Sequence, residues 1–251
     1  MFPLLFSSFT QLLSRDTIAS MNNHNTSFMN WRTLARQHPS GFLLAVQLFS
    51  LVLYAVFNKN SSGQVLTGVL DVLILLLVLR VIVHSPAIRW IGWVLVAPAF
   101  VLSLLSILFI DRTLLMWSAL LDSALYFYAA GGLVFYMMND YRVTIDELFA
   151  AGATFTLLAW GFAYAYQVCQ ILVPGSFFGS IYQGQPWTFL ELLSLSFTNL
   201  SATGLGDILP VTSPARVLVM LEQFAGIAYI AVVVSRLIGM TITIQKDKGK
   251  S

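Results

Sequence analysis

The sequence predicts an all-α integral membrane protein with six transmembrane helices and a re-entrant short helix and loop between helices five and six. Three observations lead to this prediction. Hydrophobic residues make up 58% of the 251 residues, and the mean hydropathy is +0.81. Charged residues make up 10%, against about 25% in an average soluble protein, so a water-facing surface could not be covered. Long apolar runs can span a bilayer, and one shorter run ends in a glycine-rich segment.

Apolar runs define the six predicted helices. A helix that crosses about 30 Å of hydrocarbon needs about 20 mostly apolar residues. The runs that meet or approach this length are Gly41–Phe57, Val65–Val83, Trp90–Ile110, Leu114–Met138, Ile145–Val173 and Arg216–Met240. Turn-forming or polar residues separate them, as in 58–63 and 139–142.

The distribution of basic residues predicts the orientation, because Lys and Arg concentrate in cytoplasmic loops. With the N-terminus inside, Lys59, Arg112 and Arg216 lie outside, and the other Lys and Arg residues lie inside. Both termini are therefore predicted to be cytoplasmic.

Composition also argues against several functions. The single cysteine, Cys169, cannot form an intrachain disulfide, and with three scattered histidines it cannot make a zinc cluster. The net charge of +2 gives no reason to expect nucleic-acid binding. Asp71 and Asp122 lie within apolar runs, where ionisable residues often have a function. Asp71 could instead be solvated at the membrane interface, and Asp122 could instead form a hydrogen bond to another helix. Neither lies in a protease-like motif, so no enzyme activity and no cofactor are expected.

The stretch between the fifth and sixth runs is neither a loop nor a span. Trp187–Leu200 is helical in pattern, too short to cross a bilayer and too apolar for water. It is followed by Ser-Ala-Thr-Gly-Leu-Gly-Asp, residues 201–207. Irregular backbone at membrane depth is tolerated only where protein buries it or where it lines a water-filled path. The pattern therefore predicts a re-entrant loop.

A re-entrant loop of this kind suits a cation. The C-terminal end of the short helix carries partial negative charge near mid-membrane. Glycines permit positive φ, which lets successive carbonyls turn toward one axis and replace the hydration shell of an ion. Asp207 adds negative charge at the outer mouth.

These residues resemble the tetrameric potassium channels, whose filter strand reads T-V-G-Y-G-D. The pattern Thr-x-x-Ser-Ala-Thr-Gly-Leu-Gly-Asp from Thr198 to Asp207 has the family's spacing, and Pro210-Val211-Thr212 and Arg216 continue it. The resemblance covers roughly 145–240. It implies a filter formed by Ser201, Ala202, Thr203, Gly204, Leu205 and Gly206. K⁺ would be held by the backbone carbonyls of Ala202, Thr203, Gly204 and Leu205.

Two residues depart from the family's filter. Leu205 replaces the tyrosine, which contributes only its carbonyl. Ala202 replaces the threonine whose hydroxyl helps form the innermost ion site, leaving Ser201 or Thr203 as partial substitutes. A weakly selective cation channel is therefore one alternative to a potassium channel. A non-conducting membrane sensor or assembly subunit on a channel fold is another.

Four further residues are candidates for supporting or gating the filter. Glu191 either helps to hold it or is a first-turn carboxylate favoured by the helix dipole. Glu222 either braces the half-helix through Ser or Thr hydroxyls such as that of Thr198, or makes an ordinary polar contact between helices. Gly226, twenty residues after Gly206, is either a gating hinge, as in the family, or a close-packing glycine.

The resemblance also implies assembly and domain organisation. One re-entrant loop supplies one wall of a pore, so a homotetramer in membrane lipid with K⁺ as permeant ion is expected. The fourth run contains no Lys or Arg, which argues against a voltage sensor. The predicted division is a cytoplasmic N-terminal segment (1–40), a four-helix membrane scaffold (41–140), a pore domain (141–242) and a cytoplasmic tail (243–251). The expected location is the prokaryotic inner (plasma) membrane.

Overall fold

The computed structural model describes residues 39–57, 97–99, 101–102, 111–139, 145–179, 186–204 and 206–248, all within one compact unit, His38–Ser251. Several predictions lie wholly or largely outside these residues: the N-terminal segment, the spans Val65–Val83 and Trp90–Ile110, and the roles of Asp71 and Leu205. The described residues of the Trp90–Ile110 span are helical.

The described residues form mostly helices. They are α1 (Pro39–Phe57), α2 (Arg112–Asn139), α3 (Ile145–Leu172), β1 (Phe177–Gly179), α4 (Phe189–Leu200), β2 (Ile208–Pro210) and α5 (Ser213–Lys248). Helices α1, α2, α3 and α5 match the first, fourth, fifth and sixth predicted spans to within a few residues, except that α5 continues into the predicted tail. The short strands were not predicted.

Three of these helices are long and apolar enough to cross a membrane, within Arg112–Met138, Asp146–Leu172 and Ser213–Arg236. Helices α1 and α4 are apolar but shorter. The described architecture is that of an all-α membrane protein to which one small sheet has been added.

Helices α2 and α3 run antiparallel. Arg112, at the start of α2, donates to the carbonyl of Ile171, at the end of α3, over 2.6 Å. Midway along the pair, the hydroxyl of Ser123 donates to the carbonyl of Gly161 over 2.9 Å. Arg112 therefore lies at the end of the molecule where α3 finishes.

Helix α1 runs parallel to α3. The Ser40 N–H and hydroxyl donate to the carboxylate of Asp146 over 3.0 and 2.8 Å, which satisfies an amide at the start of α1. Further along, Gln47 donates to the carbonyl of Ala153 over 3.4 Å and accepts from the hydroxyl of Thr156 over 2.8 Å. The sequence separation between partners stays nearly constant, as it must for parallel helices.

Helix α3 is the centre of the core. Trp160, on its middle, is fully buried and lies edge-on to Phe197 of α4, with ring centroids 6.2 Å apart. Tyr164 lies 5.6 Å from Tyr126 of α2 and 4.5 Å from Phe189 of α4. These aromatic contacts hold the short helix α4 against two long helices.

Candidate functional site

The start of α4 is fixed to the end of α3. Gln170 accepts a hydrogen bond from the Trp187 N–H over 3.0 Å and donates to the Trp187 carbonyl over 2.9 Å. Glu191 accepts from both the N–H and the hydroxyl of Thr188, each over 2.8 Å. A first-turn acidic residue that closes back on the residue before the helix is a common way to begin one. Glu191 therefore lies in the first turn, at the opposite end of α4 from the predicted filter, and a part in holding the filter stays a prediction.

The end of α4 is a Schellman turn built on an alanine. The Thr203 N–H donates to the carbonyl of Thr198 over 3.0 Å, and the Ala202 N–H donates to that of Asn199 over 3.0 Å. Ala202 has φ +57°, in the left-handed region that this turn requires and that glycine usually occupies. A side chain there costs about 1–2 kcal/mol. Ser201 and Ala202 thus end the helix as well as opening the filter segment, residues 201–206.

One carbonyl collects the donors of the filter segment. The carbonyl of Thr198 accepts from the N–H groups of Thr203 and Gly204 over 3.0 and 3.1 Å. It also accepts from the hydroxyls of Thr203 and Ser201 over 3.1 and 3.3 Å. These donors therefore face the end of α4.

The carbonyls of the filter segment differ from its N–H groups and hydroxyls in their hydrogen bonding. Among the described residues, none donates a hydrogen bond to the carbonyls of 201–204. Gly204 has φ +62°, so left-handed backbone recurs two residues after Ala202. Ala202, Thr203, Gly204 and Gly206 are exposed, as is Asp207. The segment therefore consists largely of exposed residues, and the carbonyls of 201–204 have no hydrogen-bond donor from the rest of the described chain.

A two-stranded sheet holds the chain that leaves the filter segment. Strand β1 pairs antiparallel with β2, with Gly179 opposite Ile208. A Cβ on Gly179 would lie 2.6 Å from the ring of Trp187 and 2.9 Å from the carbonyl of Asp207, so only glycine fits at this crossing. The Trp187 indole N–H donates to the carbonyl of Phe177 over 3.1 Å. The sheet therefore connects the start of α4 with the residue that follows the filter.

Behind α4, Glu222 joins three helices. Its side chain is fully buried. One carboxyl oxygen is hydrogen-bonded to the hydroxyl of Tyr166 on α3, and the other to the hydroxyl of Ser196 on α4. Ser196 is also 2.8 Å from the carbonyl of Ala159. The hydroxyl partner is Ser196 rather than the predicted Thr198, whose own hydroxyl donates to the carbonyl of Leu195 over 2.8 Å.

Gly226 lies where α5 crosses the end of α4. A Cβ at this position would lie 2.0 Å from the carbonyl oxygen of Leu200 and 2.8 Å from its carbonyl carbon. Backbone therefore meets backbone at Gly226, as close packing requires, and a role as a gating hinge stays a prediction.

At the far end of α5, contacts with α3 repeat the antiparallel register. The Tyr229 hydroxyl donates to the carbonyl of Ala151 over 2.5 Å. Arg236 forms an ion pair with Glu147 over 3.2 Å, with side-chain exposures of 14% and 7%. Arg236 thus lies at the opposite end of α3 from Arg112, which agrees with the predicted sidedness of both arginines.

The structure thus brings Thr198, the described filter residues and Asp207 together at one end of α4. Glu222 lies behind the same helix, and Glu191 lies at its other end. Asp122 accepts from Ser118 of its own helix over 3.3 Å. Sequence reasoning missed Gln170, Tyr166 and Ser196, which form hydrogen bonds to other protein groups and are not candidates for binding an ion. Single polar residues in apolar helices were their only signal.

Residues 123–243 match a protein-family model described as an ion channel. This stretch is just under half of the chain and includes α3, α4, the filter segment and most of α5. The match supports an ion-channel family. Together with the apolar helices, it supports a membrane protein that transports ions. Neither the comparison with curated proteins nor that with solved structures found a match.

Proposed function

We propose that this protein is the pore-forming subunit of a potassium-selective cation channel, with K⁺ passing through a filter of backbone carbonyls. The observation that carries this proposal is the division of the filter backbone. Its amides at Thr203 and Gly204 are bonded to the carbonyl of Thr198, while its own carbonyls accept no bond from the described residues. Oxygens held in this way can replace the water around a cation without a conformational change.

The surroundings of the filter segment favour positive charge. Helix α4 ends at the segment, so its partial negative pole lies there. Asp207 is exposed directly after it. In this proposal the carbonyls of Ala202, Thr203, Gly204 and Leu205 hold K⁺, and Asp207 attracts it to the outer mouth. No cofactor takes part.

Four copies complete the pore in this proposal. One chain supplies one filter segment, and a closed ring of identical chains is the ordinary solution. Helix α5 leaves a stripe of large apolar side chains exposed beside the segment, at Val217, Met220, Phe224 and Ile227. Further copies of this chain and membrane lipid are the partners that such a surface suits.

We further propose six spans, with both termini cytoplasmic, in the inner (plasma) membrane. The directions of α1, α2, α3 and α5 support this topology. Odd-numbered spans must run one way and even-numbered spans the other. Helices α1 and α3, the proposed first and fifth spans, are parallel. Helix α2, the proposed fourth, runs opposite to them.

A weakly selective cation channel is the second candidate, and the two filter hydroxyls favour it. Ala202 has no hydroxyl to offer an ion. The hydroxyls of Ser201 and Thr203, which could substitute, lie 3.0 Å from each other, and both are bonded to the carbonyl of Thr198. Both hydroxyls thus bond to the end of the helix, which supports weaker selection at the innermost ion site.

Conduction can be tested with a pair of matched glycine variants. Gly204 and Gly175 both have left-handed φ, +62° and +80°, and both have open space where a Cβ would lie. Gly→Asp therefore imposes a similar backbone strain at the two positions. In reconstituted liposomes, we expect Gly204→Asp to abolish K⁺ flux and Gly175→Asp to retain it. Equal flux in both variants would refute the filter, and a silent wild type would favour a non-conducting subunit.

Selectivity can be measured from reversal potentials with K⁺ on one side and Na⁺ on the other. A permeability ratio near one supports the second candidate. Ala202→Ser restores a hydroxyl without the β-branch that left-handed backbone disfavours. We expect this variant to raise the K⁺ preference, and an unchanged ratio would argue against an ion site at Ala202.

A further inference from the structure

We propose that Glu222 is a neutral carboxylic acid whose proton is donated to Ser196, and that this uncharged chain of hydrogen bonds positions α4 behind the filter. The chain runs from the Tyr166 hydroxyl to the carboxyl group of Glu222, on to the Ser196 hydroxyl, and ends at the carbonyl of Ala159. It thereby joins α3, α5 and α4. Glu222 is a positioning residue in this proposal, because it acts on the filter through α4.

Counting hydrogens gives the protonation state. Ser196 has one hydroxyl hydrogen, but its oxygen lies within hydrogen-bond distance of both the Ala159 carbonyl and a carboxyl oxygen of Glu222. A carbonyl cannot donate, so the hydrogen on Ser196 points to Ala159. The hydrogen between Ser196 and Glu222 must then come from Glu222.

The other carboxyl oxygen fits the same assignment. The Tyr166 hydroxyl supplies the single hydrogen of that contact. With the acid proton on the side of Ser196, each contact in the chain contains one hydrogen. An ionised Glu222 would leave the contact between Ser196 and Ala159 with two facing oxygens and no hydrogen.

Among the described residues, no basic side chain contacts Glu222 to balance a negative charge. The titratable groups that face it are Tyr166 and, through Tyr166, Cys169, both from α3; α4 contributes the hydroxyl of Ser196 and, through Tyr166, the side-chain amide of Asn199. The ion pair among the described residues is Arg236–Glu147, at the far end of α5. A fully buried, unpaired carboxylate is very costly, whereas a neutral acid is not.

Neutrality has a consequence for the filter, and this step rests on the proposed function. A carboxylate directly behind α4 would attract a permeant cation and compete with the filter carbonyls. A neutral acid provides the same mechanical link without adding charge.

Infrared spectroscopy of the assembled protein tests the protonation state directly. The chain has three glutamates. Glu147 forms an ion pair with Arg236, and Glu191 accepts from the N–H and hydroxyl of Thr188, so variants at these two residues separate their bands from that of Glu222. In wild-type protein grown with glutamate ¹³C-labelled at the side-chain carboxyl, we expect a protonated-carboxyl C=O band that shifts with the label. Absence of a label-sensitive band at neutral pH would overturn the proposal.

Two matched variants assign the band. Glu222→Gln should remove it, and Glu191→Gln should leave it in place. Persistence of the band in Glu222→Gln would overturn the proposal. If Glu222→Gln fails to assemble, Glu191→Gln and Glu147→Gln decide by elimination, because a band that persists in both variants belongs to Glu222, and loss of the band in either would overturn the proposal.

Flux measured on the same samples separates this proposal from the proposed function. Glu222→Gln keeps one donor and one acceptor, so flux should stay within about twofold of wild type. Glu222→Leu leaves both hydroxyls without a partner and should lower flux about tenfold. Equal flux in wild type and Glu222→Leu would overturn the positioning role. A protonated-carboxyl band without any flux would support the neutral acid and refute the channel. Flux without that band would support the channel and refute the neutral acid.

Discussion

Helices α3 and α5 are both apolar and long enough to cross a membrane, yet their environments differ sharply. In the most apolar 18-residue stretch of α3, 61% of the residues are buried, whereas in the corresponding stretch of α5 only 17% are buried. Helix α3 is surrounded by α1, α2, α4 and α5. The buried residues of α5 form one narrow stripe, Ala215, Val219, Glu222 and Gly226, and no described residue covers the large apolar side chains on the opposite side of the helix.

The difference shows that the apolarity of a helix does not report what covers it. The buried stripe of α5 contains a carboxyl group and a glycine, and each makes a specific contact with α4. The exposed stripe contains large apolar side chains, such as Phe224 at 73% exposure, that no described residue covers. One side of α5 is therefore matched to this chain, and the other side is suited to lipid or to further copies.

The largest effect on stability is expected from disrupting the contact between Gly226 of α5 and Leu200 of α4. Gly226→Ala would place a methyl group 2.0 Å from the Leu200 carbonyl, where backbone on both sides prevents relief. We expect destabilisation of about 3 kcal/mol or more, measured as a lower melting temperature of the purified protein. Gly131→Ala in α2 is the matched control, because nothing lies within 4 Å of the new methyl group. Equal melting temperatures for the two variants would show that the α4–α5 contact is looser than described.

A smaller loss is expected at the far end of the same pair of helices. Arg236→Gln removes the charge that balances Glu147, whose side chain is 7% exposed. Removing the positive charge next to a mostly buried carboxylate should cost about 2 kcal/mol of stability. The double variant Glu147→Gln/Arg236→Gln should recover part of this loss. Failure of the second substitution to restore the melting temperature would contradict the importance of the ion pair.

The smallest effect is expected on the exposed stripe, and it should appear in assembly rather than in folding. In the proposed tetramer, Phe224→Ala should weaken association between subunits by about 1 kcal/mol each, measured as the tetramer fraction at increasing detergent dilution. Phe135→Ala on α2, where the phenylalanine is 62% exposed, is the control and should leave the tetramer fraction unchanged. The same dilution curve for both variants would mean that lipid, not another copy, covers α5.

Sequence patterns predicted the elements of the site well because they depend on local chemistry. Apolar run length predicted α1, α2, α3 and α5, and the short run before residue 201 predicted α4. The division between helix and filter at residue 201 follows from a turn whose required residue types are known. Even so, the left-handed residue is Ala202, where glycine would be expected.

The rest depends on contacts between distant parts of the chain. The sequence marked Glu222 as unusual, but a hydroxyl partner on α4 could be Ser196 or Thr198, two residues apart. Only the rotation of α4 decides between them, and that rotation is set by aromatic packing on α3. Strands β1 and β2 were missed for a similar reason. Each has only three residues, and they pair only because folding brings these two distant segments next to each other. The choice between hinge and close packing at Gly226 likewise depends on the crossing with α4.

The contact between Gly226 and Leu200 has a mechanical consequence. Side chains that separate two helices can change rotamer and absorb a small shift, but here two main chains touch with nothing between them. A tilt of α5 at this level is transmitted undamped to the terminus of α4, and the oxygens just beyond it must move or resist together. In the proposed channel, movement of α5 and rearrangement of the filter segment would then be a single event.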